Sequence, residues 1–242
     1  MLPGFMERST QGAQALVAAA AKAIHEPERA AYLVAAGTNI TASLFGWKQL
    51  KKITKPALMP LLAGRVLRSK TRDKAVGVVG LMGLAGGWAG DLALMKPNNI
   101  PAGASGFALN HAAYVYLLLE RGARPTTGRV AIRAVPLAAA TAMAAWKAPK
   151  LLPVVLCYGG VLAATSTLAD DPLLIDRTET ASSGLGHGGN LFLISDAVLF
   201  ARETLLEDNT PSSRLADAIV MGTYTVAQLL LIDGLFPTSA RS

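Results

Sequence analysis

The sequence is poor in cysteine and in charged residues. Cys157 is the one cysteine among 242 residues, so the chain forms no internal disulfide and offers no thiol-based metal cluster. Charged residues make up 16% of the chain, whereas soluble domains carry about 25%. Because 52% of the residues are hydrophobic and the mean hydropathy is +0.38, this deficit of charge indicates an integral membrane protein.

Aromatic residues are also scarce, at 6% of the chain, although the net charge is +7. The basic residues stand in short clusters between apolar runs, with few aromatic residues beside them to stack on bases. This pattern is typical of loops at lipid head groups and argues against a nucleic-acid partner. No signal peptide is expected, because Pro3, Glu7 and Arg8 interrupt the first residues.

Apolar runs of about the length of a membrane span, roughly 17–25 residues, follow one another from residue 29 to residue 236. Clusters of proline and charge separate them and end helices at the membrane surface. We therefore predict an all-α integral membrane protein with a bundle of about eight transmembrane helices at 29–236. An N-terminal extension, interfacial or flexible, precedes it at 1–28, and a C-terminal tail follows at 237–242. The predicted helices are 30–47, 53–68, 75–96, 103–120, 128–147, 150–169, 183–205 and 213–235.

The even number of spans puts both termini on the same side of the membrane. Lysine and arginine are more numerous in the loops on that side, so the positive-inside rule predicts that both termini are cytoplasmic. The alanine-rich composition suggests a bacterium. The predicted location is therefore the bacterial cytoplasmic membrane.

The run 80–95 is rich in glycine and carries a carboxylate, Asp91, near its end. Glycine weakens a helix in water, but in a membrane it lets neighbouring helices approach closely. A carboxylate in such a run is costly unless it faces the bundle interior or a water-filled cavity. The glycine spacings that fit close helix packing are Gly83-xxx-Gly87 and Gly86-xxx-Gly90.

A second apolar run, 190–200, repeats this arrangement with Asp196. If the helices alternate in direction, Asp91, Asp196 and Lys55 fall in the same half of the bilayer, and several polar residues of other helices lie near mid-depth. Helical periodicity places the polar residues of one helix on a common face. The sequence therefore predicts one intramembrane cavity. The polar residues expected to line it are His111, Tyr114, Tyr158, Tyr224 and Gln228.

Short motifs in this order resemble those of the YhhN family of membrane proteins, which includes the lysoplasmalogenases related to animal transmembrane protein 86. The resemblance covers roughly residues 30–236, and the chain departs from the family pattern in its N-terminal extension and at His187. The motifs are Lys55-Pro-Ala-Leu-Met-Pro-Leu-Leu62, Gly90-Asp-Leu-Ala-Leu94, Gly106-Phe-Ala-Leu-Asn-His111 with Tyr114, Gly189-Asn-Leu-Phe-Leu-Ile-Ser-Asp196 and Tyr224-Thr-Val-Ala-Gln228.

The resemblance implies about eight transmembrane helices and hydrolysis of the vinyl ether bond of lysoplasmalogen. The products would be a fatty aldehyde and glycerophosphocholine or glycerophosphoethanolamine. It also implies that Asp91 and Asp196, which match the family's two aspartates, form the catalytic pair. The expected partners are a single-chain ether lysophospholipid and membrane lipids.

Cleavage of a vinyl ether needs an acid that protonates the β-carbon and an anion that stabilises positive charge or activates water. Two carboxyl groups in unequal surroundings meet this need, as they do in glycoside hydrolysis. We predict Asp196 as the acid and Asp91 as the base or stabiliser. Lys55 is expected to bind the substrate phosphate or to neutralise an aspartate, and His111 to relay a proton or position water. The expected head-group or supporting donors are Asn110, Tyr114, Tyr158, Tyr224 and Gln228.

Other readings of the same pattern stay open. Paired membrane carboxylates also form proton relays, so a proton-coupled transporter is an alternative, as are a hydrolase of a different lysolipid and a lipid-binding or scaffolding protein. Each aspartate alone is also compatible with a purely structural hydrogen bond or ion pair. No metal or other cofactor is predicted, because no metal-ligand spacing such as HExxH occurs.

Overall fold

The computed structural model describes residues 5–69, 73–97, 99–175 and 179–237 of the chain. Within these ranges it contains nine α-helices and no strands. Short 3-10 helices stand at Lys22–Ile24, Pro149–Leu151, Pro172–Leu174 and Thr180–Gly184. The α-helices are α1 Phe5–Ala21, α2 Pro27–Phe45, α3 Lys48–Arg68, α4 Lys74–Leu94, α5 Ile100–Glu120, α6 Thr127–Lys147, α7 Leu152–Ala169, α8 Leu185–Leu205 and α9 Pro211–Leu235.

Each apolar run predicted from the sequence lies largely within one of the helices α2 to α9. The ends of these helices carry the expected signals: Asp73 and Thr126 accept hydrogen bonds from backbone N–H groups of the first turns of α4 and α6, and Pro27 and Pro211 occupy the first turns of α2 and α9. By length and composition, three helical segments within the described ranges are apolar enough to cross a membrane. They are Lys74–Leu94, Pro149–Ala169 and Pro211–Leu235.

Helix α3 begins at Lys48, about one turn before the predicted start, so the lysine cluster there is helical and does not form a loop. Pro56 and Pro60 both lie inside this helix. Proline has no N–H, so Pro60 leaves the carbonyl of Pro56 without its usual donor. The indole Nε1 of Trp88 on α4 donates to that carbonyl at 2.9 Å, which compensates for the missing bond and joins the two helices.

Helices α2, α3, α4, α5, α7, α8 and α9 form a closed ring, because each packs on the next and α9 packs on α2. Helix α6 lies outside the ring against α7 and α8. Arg29 of α2 reinforces the closure, since its guanidinium nitrogens donate to both carboxylate oxygens of Asp233 on α9 at 2.6 Å. Both side chains are buried, and such a bidentate pair fixes the two helices relative to each other.

The segment predicted as an N-terminal extension contains helix α1, which packs against the 3-10 helix Thr180–Gly184 and against α9. The hydroxyl of Ser183 donates to the backbone oxygen of Gln11 at 3.2 Å. An interfacial position of this segment stays a prediction, and its residues 1–4 lie outside the described residues. The same holds for residues 238–242 of the predicted tail.

Candidate functional site

An open cavity of about 480 Å³ lies at the end of the ring where α3 begins and α4 ends. Polar and charged side chains line its mouth, and Asp91 and Asp196 lie within it. Helices α3, α4, α5, α8 and α9 all contribute residues. The apolar wall consists of Leu94, Met95, Ile100, Phe107, Leu199, Val220 and Met221.

Glycine positions Asp91 by letting α4 and α5 touch through their backbones. A Cβ atom on Gly106 would lie 2.5 Å from the backbone nitrogen of Gly90, and one on Gly86 would lie 2.9 Å from the backbone oxygen of Gly106. Gly83 likewise faces Ala113. The prediction that the glycine spacings allow close helix packing is therefore confirmed for α4 and α5. Asp91 is the residue after Gly90, so this contact sets its position.

The carboxylate of Asp91 is buried and has two partners from different helices. Its Oδ2 accepts a hydrogen bond from the hydroxyl of Tyr224 on α9 at 2.7 Å. Its Oδ1 lies 3.4 Å from Nζ of Lys55 on α3. Asp91 therefore joins α3, α4 and α9, and the ammonium group of Lys55 balances its negative charge.

The carboxyl group of Asp196 has different surroundings. The hydroxyl of Tyr158 on α7 donates to its Oδ2, and Asp196 makes no ion pair with a residue that the structure describes. Gly189 allows α7 to approach α8, because a Cβ atom there would lie 3.0 Å from Cα of Ser166. The hydroxyl of Ser195, the residue before Asp196, donates to the backbone oxygen of Val220 at 3.1 Å and fixes α8 against α9.

Aromatic rings separate the cavity from the interior of the bundle. The ring of Phe192 lies edge-on to those of Phe107, Tyr224 and His111, with centroids 6.1, 5.4 and 4.3 Å away. Such edge-to-face contacts are favourable and fix ring orientation. Phe192 therefore holds Tyr224 beside Asp91 on one side and contacts His111 on the other.

His111 is fully buried and does not line the cavity. Its Nδ1 lies 3.1 Å from Oγ1 of Thr165 on α7, whereas its Nε2 has no hydrogen-bond partner among the described residues. The rings of Tyr114 and Tyr158 stand 6.0 and 5.9 Å away. His111 therefore lies among the rings behind the cavity wall.

A chain of hydrogen bonds runs across the bundle beside His111. The hydroxyl of Tyr114 donates to Oε1 of Gln228, whose amide nitrogen donates to Oδ1 of Asn110 at 3.0 Å. Asn110 in turn donates to the backbone oxygen of Gly83 at 2.9 Å. These buried polar groups satisfy one another and connect α9, α5 and α4.

The structure divides the predicted site residues into two layers. Lys55, Asp91, Asp196 and Tyr224 line the cavity. The remaining predicted residues lie behind its wall; they are Asn110, His111, Tyr114, Tyr158 and Gln228. Their partners are one another, Asp196 and Thr165. The expectation that His111, Tyr114, Tyr158 and Gln228 line the cavity is therefore not met.

The basic residues around the cavity entrance were not among the predicted site residues. We call this set the basic mouth; it comprises Lys48, Lys51, Lys52, Lys96 and Arg202. Its signal was present in the sequence, because the predicted alternation of helix direction puts these residues at the same end of the bundle as Asp91. Thr165, the partner of His111, was also missed, since a threonine in an apolar helix has no distinctive pattern.

Within the described ranges, no group of three or more His, Cys, Asp or Glu residues is arranged to hold a metal ion. In a comparison with known protein families, the model of the YhhN family matches residues 50–235, about three quarters of the chain. The matched region includes the cavity residues of α3, α4, α5, α8 and α9. No curated protein and no solved structure matches the chain.

Proposed function

Since this chain belongs to the YhhN family, we propose that it is a membrane hydrolase that cleaves the vinyl ether bond of lysoplasmalogen. The products are a fatty aldehyde and glycerophosphocholine or glycerophosphoethanolamine. The observation that carries the proposal is the pair of carboxyl groups in one cavity with unequal partners. Asp91 faces the ammonium group of Lys55, whereas Asp196 has the hydroxyl of Tyr158 as its partner.

These surroundings support a division of roles. The cation beside Asp91 stabilises its anionic form, which suits an anion that faces positive charge in the transition state. Asp196 lacks such a cation among the described residues and suits the proton donor. Its hydrogen bond from Tyr158 holds the carboxyl group in one orientation, as a positioned acid requires.

In the proposed reaction, Asp196 transfers its proton to the β-carbon of the vinyl ether, and the ether oxygen donates an electron pair to the α-carbon. The resulting oxocarbenium ion is stabilised by the carboxylate of Asp91, which also accepts a proton from the attacking water. The C–O bond formed by water gives a hemiacetal. The hemiacetal then breaks its bond to the glycerol oxygen, which takes the proton held by Asp91, while the hemiacetal hydroxyl gives its proton to Asp196. The aldehyde and glycerophosphocholine or glycerophosphoethanolamine are released, and both carboxyl groups return to their starting states.

The substrate enters sideways between helices, with its chain in the lipid phase and its head near Lys55 and Asp91. The apolar wall of the cavity accommodates the first part of the chain, and Lys55 interacts with the phosphate. Tyr224 and the buried residues behind the wall, including Asn110, His111, Tyr114 and Gln228, fix the positions of the two carboxyl groups.

The same proposal assigns helices α2 to α9 as eight membrane spans in the bacterial cytoplasmic membrane, with both termini in the cytoplasm. Three of the helical segments have the length and composition of a span by themselves. The others carry polar side chains that face partners inside the bundle, such as Arg133 of α6, which binds Asp170 and Asn190. Polar residues with internal partners are compatible with a span.

The test is aldehyde release from 1-alkenyl-glycerophosphocholine and 1-alkenyl-glycerophosphoethanolamine by purified protein. We expect turnover by the wild type and a loss of at least about a hundredfold in Asp91→Asn and Asp196→Asn, the usual scale for acid–base groups. Asp73→Asn is the matched control, because Asp73 is an exposed helix cap that asparagine replaces well.

Wild-type activity in either cavity variant would refute the two-carboxyl mechanism. A folded wild type that releases no aldehyde would refute the substrate. Release of a different product would then identify a hydrolase of another lysolipid, and proton-linked uptake into vesicles would identify a transporter.

A further inference from the structure

The basic residues of the basic mouth outnumber the carboxylates at the cavity entrance, which are Glu203, Asp208 and Asp217. Lys48, Lys52 and Lys96 line the cavity entrance and are exposed. None of them forms an ion pair with a residue in the described part of the chain, whereas Lys51 pairs with Asp217 at 3.0 Å. These lysines are therefore available to a ligand.

The carboxylates at the entrance, in contrast, are already occupied. Asp217 contacts Lys51 and also Nε of Arg202 at 3.1 Å. Glu203 and Asp208 both contact Nη1 of Arg202, at 2.9 and 2.8 Å. An ammonium group at the entrance would therefore meet only carboxylates that are already paired with a cation.

The lysines of α3 also form a continuous path to the reaction site. Lys48, Lys52 and Lys55 stand at positions i, i+4 and i+7 and share one face of the helix. This face lines the cavity, and its innermost member, Lys55, reaches Asp91. An anion that follows this row of lysines arrives beside the proposed catalytic carboxylates.

We propose that the basic mouth makes the enzyme prefer, over the choline and ethanolamine forms, single-chain lipids whose phosphate head group carries net negative charge and no ammonium group. This inference rests on the proposed function and specifies its substrate class. The charges of Lys48, Lys52 and Lys96 would attract the anionic head group into the mouth, and Lys55 would interact with its phosphate. A choline or ethanolamine group would add a cation that these lysines repel and that no unpaired carboxylate at the entrance attracts.

The experiment compares 1-alkenyl lysolipids of one chain length with four head groups: phosphate, phosphoglycerol, phosphoethanolamine and phosphocholine. In wild type we expect kcat/KM to be about tenfold higher for the two anionic heads, the order expected for a few partly exposed charge contacts. The advantage should shrink as salt is raised, because salt screens exposed charges.

The triple variant Lys48→Gln, Lys52→Gln, Lys96→Gln should raise KM more for the two anionic heads than for phosphocholine and so lose this advantage. The control Lys74→Gln, Lys147→Gln, Lys150→Gln removes the same charge from residues that do not line the cavity. It should keep the advantage. A preference retained in the first triple variant, or lost equally in the control, would overturn the inference.

Two further experiments test the head-group preference separately from the reaction and from binding of a soluble anion. If no vinyl ether lipid is hydrolysed, the proposed function is wrong. The head-group preference is then tested by equilibrium binding of acyl lysolipids with phosphoglycerol and phosphocholine heads. Equal affinities would overturn it. If inorganic phosphate or glycerol 3-phosphate competes as strongly as the anionic lipid, the ligand is a soluble anion, and the lipid assignment is wrong.

Discussion

Nζ of Lys55 lies 3.4 Å from Oδ1 of Asp91, across the contact between α3 and α4. The aspartate side chain is 1% exposed and the lysine side chain 17% exposed, so the pair stands at the inner end of the cavity where water is restricted. Lys55 is the innermost lysine of the row on α3 that begins at the cavity entrance. In the proposed reaction, Lys55 therefore interacts both with the phosphate of the substrate head group and with the carboxylate of Asp91.

Removal of the Lys55 charge should reduce turnover and leave the protein folded. In Lys55→Met the carboxylate of Asp91 loses its neighbouring cation, which is unfavourable for a buried charge. We expect kcat/KM for aldehyde release to fall by about tenfold or more. Lys55→Arg keeps the charge and should restore part of the rate. Equal rates in wild type and Lys55→Met would contradict the proposed role of the pair.

Loss of the Tyr158 hydroxyl should affect chemistry more than stability. In Tyr158→Phe the carboxyl group of Asp196 loses its one hydrogen bond from a side chain of the described residues, and a typical hydrogen bond contributes only about 1 kcal/mol to stability. We expect a kcat about tenfold lower, with KM and the melting temperature in detergent little changed. Tyr116→Phe, at an exposed position of α5, serves as the control. A rise in KM alone, with kcat unchanged, would assign Tyr158 to substrate binding instead.

Acid should destabilise the loop after α7 through Asp171. Although burial opposes ionisation, backbone N–H bonds from Arg124 and Leu173 and the guanidinium of Arg129 lower the pKa of Asp171 below its ordinary value. A lowered folded-state pKa contributes stability that is present above the unfolded pKa of about 3.9. This stability is lost as the pH falls through the lower folded pKa.

Melting curves of wild type and Asp171→Asn in detergent test this prediction. At pH 7 the variant should melt several degrees lower, and the difference should narrow as the pH falls below about 4. Glu207→Gln, which changes an exposed carboxyl group, should follow the wild-type curve. A difference in melting temperature that stays constant from pH 7 to pH 3 would contradict the assigned effect of Asp171 ionisation on stability.

The helices could be predicted from sequence because apolar runs and clusters of proline and charge are local signals. Helix α3 shows the limit of this rule. The lysine cluster from Lys48 to Lys52 was predicted to be a loop, yet its backbone is helical. Lysine is compatible with a helix, and the side chains of this first turn line the cavity entrance. Pro56 and Pro60 are also tolerated there, since Trp88 of another helix supplies the missing donor.

The carboxyl groups of the site could also be predicted, because a charge in an apolar run is costly and therefore indicates a functional site. The hydrogen-bond partners of these carboxyl groups could not be predicted from the sequence. Which hydroxyl reaches Asp91 and which reaches Asp196 depends on the rotation of α7 and α9 relative to α4 and α8, and the periodicity of a single helix does not define it. The same applies to Arg29 and Asp233, which are distant in sequence and paired in the bundle.

The contact between α4 and α5 should be intolerant of a single methyl group. In Gly106→Ala the new Cβ would lie 2.5 Å from the backbone nitrogen of Gly90, so the helices must separate and Asp91 must move. We expect a lower melting temperature and a rate of aldehyde release at least about tenfold lower, since small displacements of catalytic groups are costly. Gly77→Ala is the matched control within α4, because no atom lies within 4 Å of its added Cβ, and alanine favours a helix over glycine by about 1 kcal/mol. If Gly106→Ala behaved like Gly77→Ala, close backbone packing would not be what positions Asp91.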